Sequence, residues 1–91
     1  MPASTTEPKI GVKDAASIAM QYLQDLIPTV ARNDISLEEV ELEGQAWLVT
    51  LGFTDAHAKG FLRAMDSGRT YKQFRINAKT GLVSSMRMRK P

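Results

Sequence analysis

The side chains best suited to binding chemistry lie in two short alternating runs near the end of the chain. In the first run Tyr71, Gln73 and Arg75 share one parity, and Phe74 and Ile76 share the other. Alternation with a period of two is typical of a half-buried strand, so the first set should face water and the second set the core. Arginine beside an aromatic ring suits recognition of carboxylates, phosphates or stacked bases.

A predicted turn joins the first run to the second. Asn77 begins it with a side chain that accepts hydrogen bonds from the following amides, and Gly81 ends it with the residue that adopts a positive φ without strain. These features predict a hairpin loop built on a type I turn and closed by a glycine bulge. The alternation then predicts a core-facing set and a water-facing set, which are Leu82, Ser84, Met86 and Met88, and Val83, Ser85, Arg87 and Arg89, respectively.

The predicted hairpin brings the polar sets of its two strands onto one surface. We predict that the binding residues of this surface, the hairpin surface, are Tyr71, Gln73, Arg75, Arg87 and Arg89. Two interpretations remain open at this stage. The surface is either an ordinary solvated strand face or a binding site for an anionic or protein partner.

Few residues offer catalytic or metal-binding chemistry. His57 is the single histidine, and no plausible ligand follows it at metal-site spacing. The serines lack the strained elbow motif or a sequence-adjacent base that would activate a hydroxyl. Alternate members of the acidic run Glu38, Glu39, Glu41 and Glu43 should point to opposite faces of a strand, which favours a solvated edge over a cation site. We therefore expect no enzyme activity, no metal and no cofactor.

The charges of the chain are unevenly distributed. Residues 1–55 carry 3 basic and 9 acidic side chains, whereas residues 56–91 carry 9 basic and 1 acidic. A basic surface can attract an anionic partner even though the net charge is only +2.

Composition limits the class of protein. A chain of 91 residues suffices for one domain with a modest core. It contains no cysteine, which excludes a disulfide framework, thiol catalysis and thiolate metal sites. Because it shows neither a signal sequence nor an apolar run of about 18 residues, we expect a cytoplasmic protein without a membrane span.

The first part of the chain predicts a tail and a helix. Residues 1–10 lack apolar periodicity and should form a flexible tail, so that the domain spans residues 11–91. From Val12 to Ile27 apolar residues recur at three-to-four spacing, which predicts an amphipathic helix with Gly11 as its N-cap and Pro28 at its end. The small alanines near its centre suggest that it packs closely on a sheet.

The remaining segments predict two strands and an excursion. Residues 35–37 and 40–42 alternate with different parity, so the strand either bulges at 38–39 or begins there. Residues 46–53 are the most strand-like, with Trp47 toward the core. Residues 54–69 break the pattern and predict a long loop or short helix between the second and third strands. The order predicts an α+β fold in which one N-terminal helix packs on a four-stranded antiparallel meander sheet.

The order of these motifs resembles that of the PepSY domain family. The resemblance rests on the alanine-rich helix, on the first hairpin E-E-V-E-L-E-G-Q-A-W-L-V-T-L and on the closing hairpin Y-K-Q-F-R-I-N-A-K-T-G-L-V. It implies a curved antiparallel sheet with a cystatin-like architecture. It also implies a regulatory role, since such domains occur in propeptides of extracellular metallopeptidases, where inhibition or regulation of the peptidase has been proposed.

From the residues and the resemblance together we expect a non-enzymatic protein-interaction module. Its partner would be a peptidase or another protein, bound through the sheet face, an exposed edge strand or the 54–69 excursion. The alternative is a small anion- or nucleic-acid-binding domain that uses the hairpin surface. A homodimer formed when the acidic 38–43 edge meets a basic edge is a further alternative.

Overall fold

A computed structural model of the protein describes residues 9–54 and 69–89. Its elements are helix α1 (Val12–Leu26), a short 3-10 turn (Arg32–Asp34) and the strands β1 (Ser36–Glu43), β2 (Ala46–Thr54), β3 (Arg69–Asn77) and β4 (Val83–Arg89). The strands lie in the order β1-β2-β3-β4, and all neighbours are antiparallel. The predicted fold, one N-terminal helix on a four-stranded meander sheet, is confirmed. The interior of the predicted 54–69 excursion lies outside the described residues.

Helix α1 is held against the sheet by its small residues. Ala15, Ala19 and Leu23 are completely buried, as the alanine-rich centre of the helix predicted. The N-cap is Gly11, whose backbone N–H donates to Asp14 Oδ2 at 3.4 Å. The helix ends at Leu26, one residue before the predicted end. The two alanines let the helix backbone approach the strands, so a longer side chain at either position would have to displace core atoms.

The core lies between α1 and the two central strands. Alternate residues of β2, namely Val49, Leu51 and Phe53, are fully buried together with Phe74 and Ile76 of β3. This arrangement confirms the predicted alternation in both strands. It leaves the other parity of each strand on the side of the sheet that faces away from the helix.

The turn between β3 and β4 anchors the segment that precedes the helix. Two predicted features of the turn are present: Asn77 Oδ1 accepts from the N–H groups of Lys79 and Thr80, and Gly81 has a φ of 79°. A Cβ on Gly81 would lie 2.9 Å from Ile10 Cδ1. Because the turn approaches this segment so closely, only glycine fits there without displacing a neighbour.

Backbone hydrogen bonds fix the same segment. The N–H groups of Lys9 and Ile10 both donate to the Ala78 carbonyl, at 3.1 and 3.0 Å. The indole N–H of Trp47 donates to the Ile10 carbonyl at 2.8 Å. Lys9 and Ile10, which the sequence assigned to the tail, are therefore hydrogen-bonded to the domain.

A bulge in β4 corrects the predicted faces of the second hairpin strand. Arg75 stands opposite Ser85, but Ile76 stands opposite Val83, so Ser84 is the extra residue. The alternation before the bulge is thereby inverted, because one inserted residue exchanges the faces of the sheet. Val83 packs against the core instead of facing water, and the prediction that placed it on the wet face was wrong.

Two apolar residues at the ends of the predicted core-facing set of β4 are not buried. Met86 packs against the core as predicted. Leu82 and Met88 were predicted to face the core, but they are 69 % and 67 % exposed. Leu82 precedes β4, and Met88 stands opposite Lys72, which has the core-side parity of β3 but is only partly buried. On the hairpin, Phe74, Ile76 and Ala78 are buried, whereas the two ends of the predicted core-facing set of β4 are exposed.

The close helix–sheet contact predicts that a larger side chain destabilises the protein on the buried face of α1 but not on its exposed face. Ala19→Leu should lower the free energy of unfolding by about 1–3 kcal/mol, because the added atoms have no space at a fully buried position. Ser17→Leu makes a comparable addition on the exposed face of the same helix and should change stability by less than about 0.5 kcal/mol. Urea denaturation followed by circular dichroism measures both. Equal effects of the two substitutions would contradict close packing at Ala19.

Candidate functional site

The face of the sheet opposite the helix, the outer face, collects most of the predicted binding residues. Strand pairing sets Tyr71 opposite Arg89, Gln73 opposite Arg87 and Arg75 opposite Ser85. The pairing thus brings all five residues of the hairpin surface to adjacent positions on β3 and β4, with Arg89 placed by its backbone register. Val83, which the sequence also assigned to this side, lies on the helix side instead.

The acidic run of β1 lies on the same outer face. Of the two alternatives that the sequence left open, the bulge is the one present, between Leu37 and Glu39. After it, Glu39, Glu41 and Glu43 stand opposite Thr50, Leu48 and Ala46. Glu38, in the bulge, lies beside Gly52 and accepts a hydrogen bond from Ser36 Oγ. The prediction that these carboxylates divide between two faces was wrong, because three of them share one parity and the bulge returns the fourth to their side.

Acidic and basic residues enclose a groove on the outer face. This groove, the outer-face groove, has a volume of about 410 Å³ and is lined by Glu41, Glu43, Leu48, Gln73, Arg75, Ser85 and Arg87. The carboxylates come from the first strand and the arginines from the third and fourth. Leu48 of β2 lies between them and forms the floor. The groove therefore presents a negative wall, a narrow apolar floor and a positive wall.

The charges of the groove are only partly neutralised within the domain. Arg75 Nη1 lies 3.4 Å from Glu43 Oε1, and the two side chains are 45 % and 63 % exposed. An ion pair so exposed contributes little stability, so both groups can exchange this contact for a ligand at small cost. Arg87 and Glu41 form no ion pair with any described residue. The groove can therefore contact positive and negative groups of one ligand.

Tyr71 is half-buried and packs against β2. A Cβ on Gly52 would lie 2.9 Å from Tyr71 Cε1, so the phenol ring covers the backbone of β2. Glycine at this position leaves room for the ring to approach the strand backbone. Thr50 beside it is only 4 % exposed, and its hydroxyl has no hydrogen-bond partner among the described residues. The centre of the outer face is therefore covered by its own side chains, and ligand access is at the outer-face groove.

A polar cluster closes the base of the 54–69 excursion, where β2 ends and β3 begins. Asp34 Oδ2 accepts from the Thr54 backbone N–H at 2.6 Å, and Asp34 Oδ1 accepts from Arg69 Nη1 at 2.9 Å. Arg69 Nη2 also donates to Ser36 Oγ at 2.7 Å. Thr54 and Arg69 are paired residues, so the cluster holds both ends of the excursion against the start of β1. Sequence reasoning missed this cluster, because its members are far apart in the chain.

The cluster changes the acidity of Asp34. The hydrogen bond from the Thr54 backbone N–H lowers the pKa of the Asp34 carboxyl below its ordinary value of 3.8, and the charge and hydrogen bond of Arg69 add to this effect. Partial burial acts in the opposite direction and is outweighed. The carboxylate is therefore ionised at neutral pH and favours the closed base of the excursion.

Neither a cluster of metal ligands nor a membrane-spanning helix is present among the described residues. Within residues 9–54 and 69–89, no three His, Cys, Asp or Glu side chains lie close enough together to hold a metal ion. His57 lies outside those ranges. In the same part of the chain, no helix has the length and apolar character needed to cross a membrane.

Comparison with known proteins finds no matching family model, no matching curated protein and no matching solved structure. The architecture, a helix followed by a four-stranded antiparallel meander, therefore rests on the structure of this chain and not on a relative.

The Asp34 cluster predicts a pH-dependent contribution to stability. Because the folded-state pKa of Asp34 is depressed, its stabilising effect is complete above the unfolded-state value and is lost as pH falls through the folded-state value. Asp34→Asn should therefore destabilise the fold near about pH 7, and the difference from the natural protein should shrink below about pH 4. Urea denaturation across this range measures the difference.

Asp25→Asn serves as the control for a lost carboxylate. Asp25 lies on the exposed helix surface, where it accepts a hydrogen bond from Gln21 at 2.9 Å. If Asp25→Asn reproduced the whole pH dependence of Asp34→Asn, the cluster would not be its source.

Proposed function

We propose that this domain is a non-enzymatic protein-interaction module that binds a segment of a partner protein in the outer-face groove. The observation that carries the proposal is the placement of two carboxylates and two arginines around one groove of about 410 Å³. Arg87 and Glu41 lack ion-pair partners among the described residues, so each can pair with an opposite charge from outside. A partner segment that carries both acidic and basic side chains would satisfy both walls.

The charge pattern favours a polypeptide over a polyanion. A nucleic acid presents phosphates along its whole length, and it would place some of them near Glu41 and Glu43, beside the two arginines. Like charges in such proximity oppose binding. The alternative function, anion or nucleic-acid binding by Tyr71, Gln73, Arg75, Arg87 and Arg89, is therefore the weaker proposal.

The resemblance to the PepSY family suggests the class of partner. A helix on a four-stranded meander sheet agrees with the architecture that the resemblance implies, and a peptidase or another regulated protein is the partner class that we propose. The excursion is a further contact surface in this proposal. The two residues that border it, Thr54 and Arg69, are held together by the Asp34 cluster.

Charge reversal at Arg75 tests the proposed groove. Arg75 lies on an interior strand and is exposed, so Arg75→Glu should preserve the fold while placing a carboxylate beside Glu43. Binding of a partner protein should weaken by about tenfold or more, equivalent to about 1.4 kcal/mol. The measurement is affinity capture from extract of the native cells with quantitative mass spectrometry, followed by titration with the purified partner.

Lys79→Glu is the matched control, since it makes the same charge change in an exposed turn outside the groove. It should capture the partner as well as the natural protein does. Equal capture by the Arg75→Glu and natural proteins would contradict the proposal. Binding of a labelled oligonucleotide that weakens steeply with salt, and is lost in Arg75→Glu, would favour the alternative function instead.

A further inference from the structure

The fold places acidic residues of the first half of the chain and basic residues of the second half on opposite edges of the sheet. In a meander, sequential strands are neighbours, so β1 forms one edge and β4 the other. The outer face of β1 carries Glu39, Glu41 and Glu43, and Arg87 lies on the outer face of β4. One edge is therefore acidic and the other basic.

The helix side of both edges is incompletely covered. On β1, Leu37 and Leu42 are 45 % and 42 % exposed, and Val40 is only partly buried. On β4, Met88 is 67 % exposed and Met86 is partly buried. Each edge strand thus combines a charged outer side with an apolar inner side. Strands of this kind provide backbone groups and side chains for the addition of another strand.

We propose that β4 of one copy pairs antiparallel with β1 of a second copy of this chain. One register aligns both faces at once. Arg87 then stands opposite Glu41 of the second copy on the outer face, while Met86 and Met88 stand opposite its Leu42 and Val40 on the inner face. The same register sets the backbone position of Arg89 opposite that of Glu39.

The direction of the strands is consistent with this pairing. β1 and β3 run one way and β2 and β4 the other, so a second copy in the same orientation presents a β1 that is antiparallel to β4. Two basic β4 edges, or two acidic β1 edges, would bring like charges together, which disfavours a symmetric dimer. The contact is therefore head-to-tail, and such contacts build rings or open assemblies.

This inference uses Arg87 and Glu41, which also line the outer-face groove, but it makes a separate prediction for Arg75. Arg75 lies on an interior strand, so Arg75→Glu should leave self-association unchanged even where it abolishes capture of another protein. Loss of one property without the other therefore distinguishes failure of this inference from failure of the proposed function.

Reciprocal charge reversal tests the edge pairing. Multi-angle light scattering should show that the average mass of the natural protein rises with concentration and falls again in high salt, which screens charges over a few ångströms. Glu41→Arg and Arg87→Glu should each weaken association by about tenfold or more, since each places like charges opposite one another. An equimolar mixture of the two variants should regain association. One variant then has two basic edges and the other two acidic edges, so every contact between the two variants is complementary.

Three outcomes would overturn the inference: a monomer mass for the natural protein at every concentration, unchanged association in both variants, or a mixture that stays monomeric. Lys79→Glu, away from both edges, should associate like the natural protein. Circular dichroism checks that each variant is folded, and Glu41→Lys with Arg87→Asp provides a second reciprocal pair if one of the first is not.

Discussion

The register of β2 between its two neighbours is the constraint on which the rest of the structure depends. It places Val49 and Phe74 side by side under the helix, and it places Leu48 and Arg75 side by side on the outer face. A slip of one residue would exchange these faces and put arginine against the alanine-rich surface of α1. Because Phe53, Phe74 and Leu51 are buried on one side, the alternating residues of the same strands must lie on the opposite side.

Two bulges adapt this register at the edge strands. In β1 the bulge collects the carboxylates on the outer face, and in β4 the bulge turns Val83 inward and leaves Arg87 outward. A bulge costs a ladder position but lets each part of a strand keep its favourable face. The acidic and basic walls of the outer-face groove are a direct consequence.

The domain also depends on contacts that lie beyond the sheet ladder. At one end of the sheet, Ile10, Trp47 and Ala78 join the start of the helix to two turns. At the other end, Asp34 and Arg69 hold the base of the excursion. Both sets join groups from distant parts of the chain, so the outer face belongs to a scaffold that is fixed at its two ends. Such a scaffold suits recognition, because ordering it costs nothing further on binding.

The sequence by itself determined the elements of this protein, because the period of the apolar residues reports local geometry. Such patterns predicted the helix from Val12 and the strand around Val49, and they left a bulge near Glu38 as one of two alternatives. The turn closed by Gly81 was predicted from its residue types instead. The placement of Tyr71 and Arg87 on one face also followed from the alternation of the hairpin strands, because both residues lie in the part of the hairpin that the β4 bulge does not shift.

Only the tertiary structure decided how much each edge residue is buried and which distant charges meet. No local pattern marks Ser84 as an inserted residue, so the inward turn of Val83 could not be foreseen. The Asp34–Arg69 pair and the meeting of Glu43 with Arg75 join residues more than 30 positions apart. Their contact depends on strand order and register, which arise from packing of the whole chain rather than from any single segment.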